Sequence, residues 1–317
     1  MKKNRKITAI YLFCAFVLTV AAAVLRTVAL NNHYVIATGY FLKSGAITVA
    51  NWLIVAVVLG AASYLFVADK RKKYVATYSD SATFISSSLV ALSLIFVTFE
   101  LFADLLKPLN STKTAILATN FICIILAVFA ALAFVLTAII SSRRSATRAT
   151  YQILAVLFLS VYAAYIYFTN PYPINNLVSI TDMMAYLLAA VFFLFEVRIS
   201  LGRDLWHFYT SFGIITAAVC FYSSVPTVID YFMNGRVVSS SIAQAILAFA
   251  IFIFVSLRLI RSLYLFEDTE AKTVSAIRQA EDAARIRSKG ENESESPEEQ
   301  FEEENENYTI EIDTDRS

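Results

Sequence analysis

Eight long apolar stretches, separated by short polar connections, set the pattern of the chain. They occupy residues 7–30, 46–68, 83–106, 114–140, 151–169, 178–201, 207–232 and 239–265. A hydrocarbon core about 30 Å thick needs roughly 20 helical residues to cross it, and each stretch approaches that length. Lipid cannot satisfy exposed backbone groups, so spanning segments are helices or closed barrels. These runs are too long and too continuously apolar for barrel strands. The pattern predicts an all-α, polytopic integral membrane bundle of eight transmembrane helices.

The polar connections give the orientation. Cations gather before the first stretch (Lys2, Lys3, Arg5, Lys6) and in every second connection after it: Lys70, Arg71, Lys72 and Lys73, then Arg143, Arg144 and Arg148, then Arg198 and Arg203. Arg258 and Arg261 mark the exit of the last stretch. The intervening connections hold only Lys43, Lys107, Lys113 and Arg236. Cytoplasmic loops carry the excess of Lys and Arg, so both termini are expected in the cytoplasm. An even number of spans requires the same. The basic start MKKNRK and the small residues Ala21, Ala22 and Ala23 also resemble a signal peptide, but the apolar run exceeds a usual signal core, and a retained span is expected.

Composition divides the chain again. Hydrophobic residues make up 58% and charged residues 16%, against about 25% charged in ordinary soluble domains. Residues 1–266 hold 20 Lys and Arg against 8 Asp and Glu, while residues 267–317 hold 6 against 17. The expected organisation is a transmembrane domain over 1–266, a cytoplasmic helical extension over 267–290 and a disordered acidic tail over 291–317. Four hairpins of paired spans recur, but no residue-level match establishes a duplication. Cys14, Cys123 and Cys220 sit within apolar stretches and read as packed thiols.

Ionisable groups inside a span are costly and mark sites or structural pairs. Glu100 lies seventeen residues after Thr83, about 25 Å along a helix, and Asp104 follows one turn later. Arg26 lies at a similar depth from the opposite direction, so an Arg26–Glu100 pair between the first and third spans is the simplest expectation. Asn51, Asn120, Asp182 and Asp230 fall in the same outer third. Together these seven residues form a candidate outward-facing polar pocket. The bland alternative is that helix ends are polar and the acids are interface residues. A Glu196–Arg258 pair is possible at the inner ends. Pro226 predicts a kink in the seventh span, and Thr38-Gly39 a turn.

Known catalytic signatures are missing. The chain has no GxxxxGK[ST], HExxH, GxSxG or GxGxxG. His33 and His207 fall near opposite faces, which argues against a shared metal site. Asn110-Ser111-Thr112 is a glycosylation sequon, a common chance match. The sequence implies no cofactor or metal and no nucleic-acid partner. The expected location is a bacterial cytoplasmic membrane, and the expected partners are its lipid bilayer and a cytoplasmic protein met by the tail. The first functional expectation is transport or binding of a small solute at the pocket. The second is a non-enzymatic sensor or assembly component that recruits a partner through its tail. The third is an enzyme acting on lipid or envelope precursors, with an outward acid as general base.

Overall fold

Each apolar stretch forms a helix. The computed structural model describes residues 2–35, 38–42, 45–67, 81–106, 114–139, 146–169, 176–201, 205–236 and 241–263. The helices are α1 (Lys2–His33), α2 (Gly45–Val67), α3 (Ser81–Leu105), α4 (Thr114–Ile139), α5 (Ala146–Thr169), α6 (Leu177–Ser200), α7 (Trp206–Asn234) and α8 (Ile242–Leu263). All eight are long and apolar enough to cross a membrane, and the chain is a multi-pass membrane protein. The expected helical extension, the acidic tail, the sequon and the basic residues 70–73 and 143–144 lie outside the described residues.

Side-chain contacts give the directions of the helices. Thr8 of α1 meets Tyr64 of α2 at 2.9 Å, while Ala22 of α1 packs with Ala50 of α2, so the two run antiparallel. Tyr222 joins that second contact, and Asn31 accepts from Asn234, so α7 runs parallel to α1. Asp182 meets Ser223 and Glu196 meets Tyr209, which makes α6 and α7 antiparallel. We call the end holding the start of α1 the near end and the other the far end.

The bundle has two faces joined by a middle. α1, α2 and α7 pack mutually, and α3, α4, α5 and α6 pack in sequence. α7 and α6 link the two sets. α8 lies in the middle. Phe254 of α8 meets Phe134 of α4 and Phe193 of α6 edge-on or tilted, and Phe252 meets Phe221 of α7. The most apolar 18-residue windows of α7 and α8 are 67% and 61% buried, against 22% for α1 and α2. α1 and α2 therefore turn most of their apolar side chains outward, including Phe13, Trp52 and Phe66, as a lipid-facing surface does.

Small residues bring the middle helices together. Gly213 of α7 lies against Leu259 of α8 so closely that an added Cβ would sit 2.8 Å from a Leu259 methyl. Ser211 of α7 donates to the Ala61 carbonyl of α2 at 2.7 Å. Gly60, by contrast, has nothing within 4 Å of such a Cβ. Of the small residues 60–63, it is Ala61 that makes the close approach.

Between α1 and α2 the chain forms a two-residue hairpin, β1 (Tyr34–Val35) and β2 (Tyr40–Phe41). Gly39 takes φ +71 in its turn, a conformation that favours glycine. Tyr34 packs with Leu30, Phe41 and Val178 at the start of α6, so the hairpin joins the end of α1 to the start of α6. α7 continues helically through Pro226 and ends at Gly235, φ +63, a left-handed cap.

Candidate functional site

The far end gathers polar side chains at the ends of several helices, in two groups. The first group lies among α3, α4, α5, α6, α7 and α8. Ser241 caps α8 by accepting from the Gln244 backbone N–H at 3.1 Å, and its hydroxyl donates to Glu100 Oε2 at 2.5 Å. A capping serine thus ties the third helix to the eighth. Tyr186 of α6 donates to the Gln244 carbonyl at 2.6 Å. Asp182, one turn earlier on the same face of α6, accepts from Ser223 of α7. Tyr165 of α5 donates to Asp104 at 3.3 Å. Tyr162 stacks on Tyr165 and meets Tyr186 edge-on. Asn120 of α4 donates to the Leu101 carbonyl at 3.1 Å, which fastens α4 to α3 one residue after Glu100.

The part of this group around Asp182 is closed, whereas Glu100 and Asp104 are half-buried. The gap lined by Asp182, Tyr186, Ser223, Thr227 and Gln244 is too narrow to admit a water molecule. The carboxylates are held by hydroxyls contributed by neighbouring helices. Such hydrogen bonds to charged groups are stronger than neutral ones.

The second group lies among α1, α2 and α7. Arg26 is 1% exposed, and its guanidinium carbon sits 4.6 Å from the centre of the Tyr222 ring. None of its three side-chain nitrogens has a hydrogen-bond acceptor. The Tyr222 hydroxyl donates to Asn51 Oδ1 at 2.7 Å, so the Asn51 amide is oriented by the ring that carries the guanidinium. Two turns beyond Tyr222 on the same face of α7, Asp230 accepts from Arg236 at 2.7 Å and from Asn234 at 2.7 Å. Its other carboxylate oxygen has no partner.

The expected Arg26–Glu100 pair does not form. Both residues lie toward the far end, but on different sides of the bundle. α1 packs on α2 and α7, whereas α3 packs on α4. Glu100 turns to Ser241 and Arg26 to Tyr222. Equal depth along two helices does not make their side chains neighbours. The seven candidate residues accordingly divide, with Glu100, Asp104, Asn120 and Asp182 in one group and Arg26, Asn51 and Asp230 in the other. α7 separates them, presenting Tyr222 to one group and the adjacent Ser223 to the other.

The partners of these residues had fainter signals. Ser241 and Gln244 match the S-x-x-Q capping pattern at a helix start. Ser223 and Tyr222 sit inside an apolar helix with nothing local to single them out.

A third polar cluster lies toward the near end. Arg258 of α8 and Glu196 of α6 form a two-bond ion pair, 3.0 Å in each arm, with side chains 2% and 1% exposed. Tyr209 of α7 donates to the same Glu196 oxygen that Arg258 Nε reaches, at 2.6 Å. Beside it, Ser200 of α6 donates to Gln152 of α5 at 3.0 Å. Both Glu196 oxygens accept from donors on other helices, which is the geometry of a structural clamp. Among the described residues no group of three or more His, Cys, Asp or Glu is arranged to hold a metal ion. No protein-family model, no curated protein and no solved structure matches the chain.

Proposed function

We propose that this membrane protein binds and carries a small polar solute at the far end of the bundle. The observation that carries the reading is the concentration of charged and hydrogen-bonding side chains there, inside helices that are otherwise apolar. Ionisable groups at such depth are costly and tend to serve ion or substrate paths. The polar groups contact one another across the seams between helices, so a solute enters by exchanging protein hydrogen bonds for its own. By the charge of the connections, the far end faces outward and the termini lie in the cytoplasm.

Uptake into membrane vesicles, screened with radiolabelled amino acids, sugars and organic acids, tests this. One solute should accumulate above the level of control vesicles. Accumulation should be lost in Glu100→Gln and kept in a chain ending at residue 266. The acidic composition of residues 267–317 favours a second reading, recruitment of a basic cytoplasmic partner. That reading gains if the truncated chain fails in the cell while Glu100→Gln is tolerated.

A further inference from the structure

Arg26 is the one described guanidinium that is almost fully buried and has no hydrogen-bond acceptor at any of its nitrogens. Its charge is not matched by its surroundings. α1 packs on α2, α7 and the β1–β2 hairpin. The described parts of α2 and of the hairpin carry no acid, and α7 carries only Asp230. Asp230 is already bound by Arg236 at 2.7 Å. The set Arg26, Arg236 and Asp230 therefore holds one positive charge in excess.

The Tyr222 ring offsets part of the cost by a cation–π contact. That contact leaves the N–H edge of the guanidinium without an acceptor in hydrogen-bond geometry. The edge is a planar fork of donors that matches a carboxylate or a phosphate group. Asn51 meets the hydroxyl of the same tyrosine: its Oδ1 accepts from Tyr222 at 2.7 Å, so its amide N–H group remains as a further donor.

We propose that Arg26, seated on Tyr222 and flanked by Asn51, binds the anionic group of a small carboxylate or phosphate. This names the chemical class of the solute and rests on the solute-binding reading above. Binding is read here without uptake, so the two proposals fail separately. An anion without transport would leave the site standing and remove the carrier.

The test uses the full chain, delipidated in an uncharged maltoside detergent. Its thermal unfolding is followed with inorganic phosphate, acetate or chloride at matched ionic strength, and with short-chain phosphatidylglycerol. Phosphate or acetate should raise the midpoint in a saturable way that chloride does not reproduce. If only the lipid does so, the bound group is a lipid headgroup phosphate, and the shared chemistry still holds. Arg26→Lys keeps the charge but loses the fork, and should weaken the affinity about tenfold. Arg26→Gln should abolish the shift. If Arg26→Gln does not fold, Arg26→Lys decides. No saturable shift in the unmodified chain overturns the proposal, and so does an affinity unchanged in Arg26→Lys.

Discussion

Glu196 and Arg258 illustrate how a single residue governs this bundle. Each is nearly inaccessible, and each satisfies the other through two bonds. Removing one partner of a buried pair leaves a charge without compensation, which costs about 3–5 kcal/mol. Replacing both by apolar groups of similar size is often nearly neutral. Arg258→Met should therefore lower the unfolding free energy in detergent by about 3–5 kcal/mol, and adding Glu196→Leu should recover most of the loss. Equal stability of Arg258→Met and the parent in a denaturant titration would show that the pair is no clamp. Arg26 and Glu100 make the opposite case. Exchanging their charges, as Arg26→Glu with Glu100→Arg, should not rescue the yield of folded protein lost in either single variant, because Glu100 meets Ser241 and Arg26 meets Tyr222. The sequence places both residues correctly along the helix axis, since depth follows from counting 1.5 Å per residue. It does not place them around the axis. That depends on which face each helix turns to its neighbours, and apolar sequence on all sides conceals it. The Glu196–Arg258 pair was legible because α6 and α8 run parallel and are both central.

At the scale of elements, the seam between α7 and α8 rests on a contact that composition does not reveal. With seven glycines in the chain, Gly213 is inconspicuous, and the small residues 60–63 look like the better packing motif. Yet Gly213 is the glycine that another helix crowds, through Leu259, while Gly60 faces open space. Close approach lets packing stand in for the weak hydrophobic drive between helices in lipid. Gly213→Val should lower stability by about 1–3 kcal/mol through overpacking. Leu259→Ala in the same chain should recover part of that loss, and Gly60→Ala should be tolerated; thermal unfolding of the four chains is the measurement. A Gly213→Val protein as stable as its parent would mean that α7 and α8 can separate without cost. α8 also shows how a start signal resolves a boundary. The apolar pattern places its beginning at residue 239, whereas the described helix begins at Ile242 after the Ser241 cap. Ser241→Ala should cost about 0.5–2 kcal/mol as a lost cap, and it removes the hydroxyl that holds Glu100. The hairpin at β1 and β2 was readable only as a turn, because two-residue strands are too short to show a period.

The described bundle has two chemically different ends, and the charge of the connections gives an expectation for its orientation in a bilayer. The antiparallel steps from α1 to α2 and from α6 to α7 carry the first turns of α1, the last of α2 and the first of α7 to the near end, the helix ends beside which the cation-rich stretches stand in the sequence. The polar groups around Glu100 and Arg26 occupy the far end. Cations in short loops resist translocation, so the near end should face the cytoplasm. An expectation for the orientation is legible in the sequence, because it depends on how many Lys and Arg stand in each connection, not on tertiary contacts. The division of the polar residues into two groups is not, because it arises from which helices become neighbours. Single cysteines introduced at positions 70–73 and 110–113, in a chain with Cys14, Cys123 and Cys220 replaced, expose the difference. An impermeant maleimide added to intact cells should label 110–113 and spare 70–73 until the membrane is opened. Reaction at 70–73 with silence at 110–113 would invert the bundle. The far-end polar groups would then face the cytoplasm, and any solute they hold would be taken from that side.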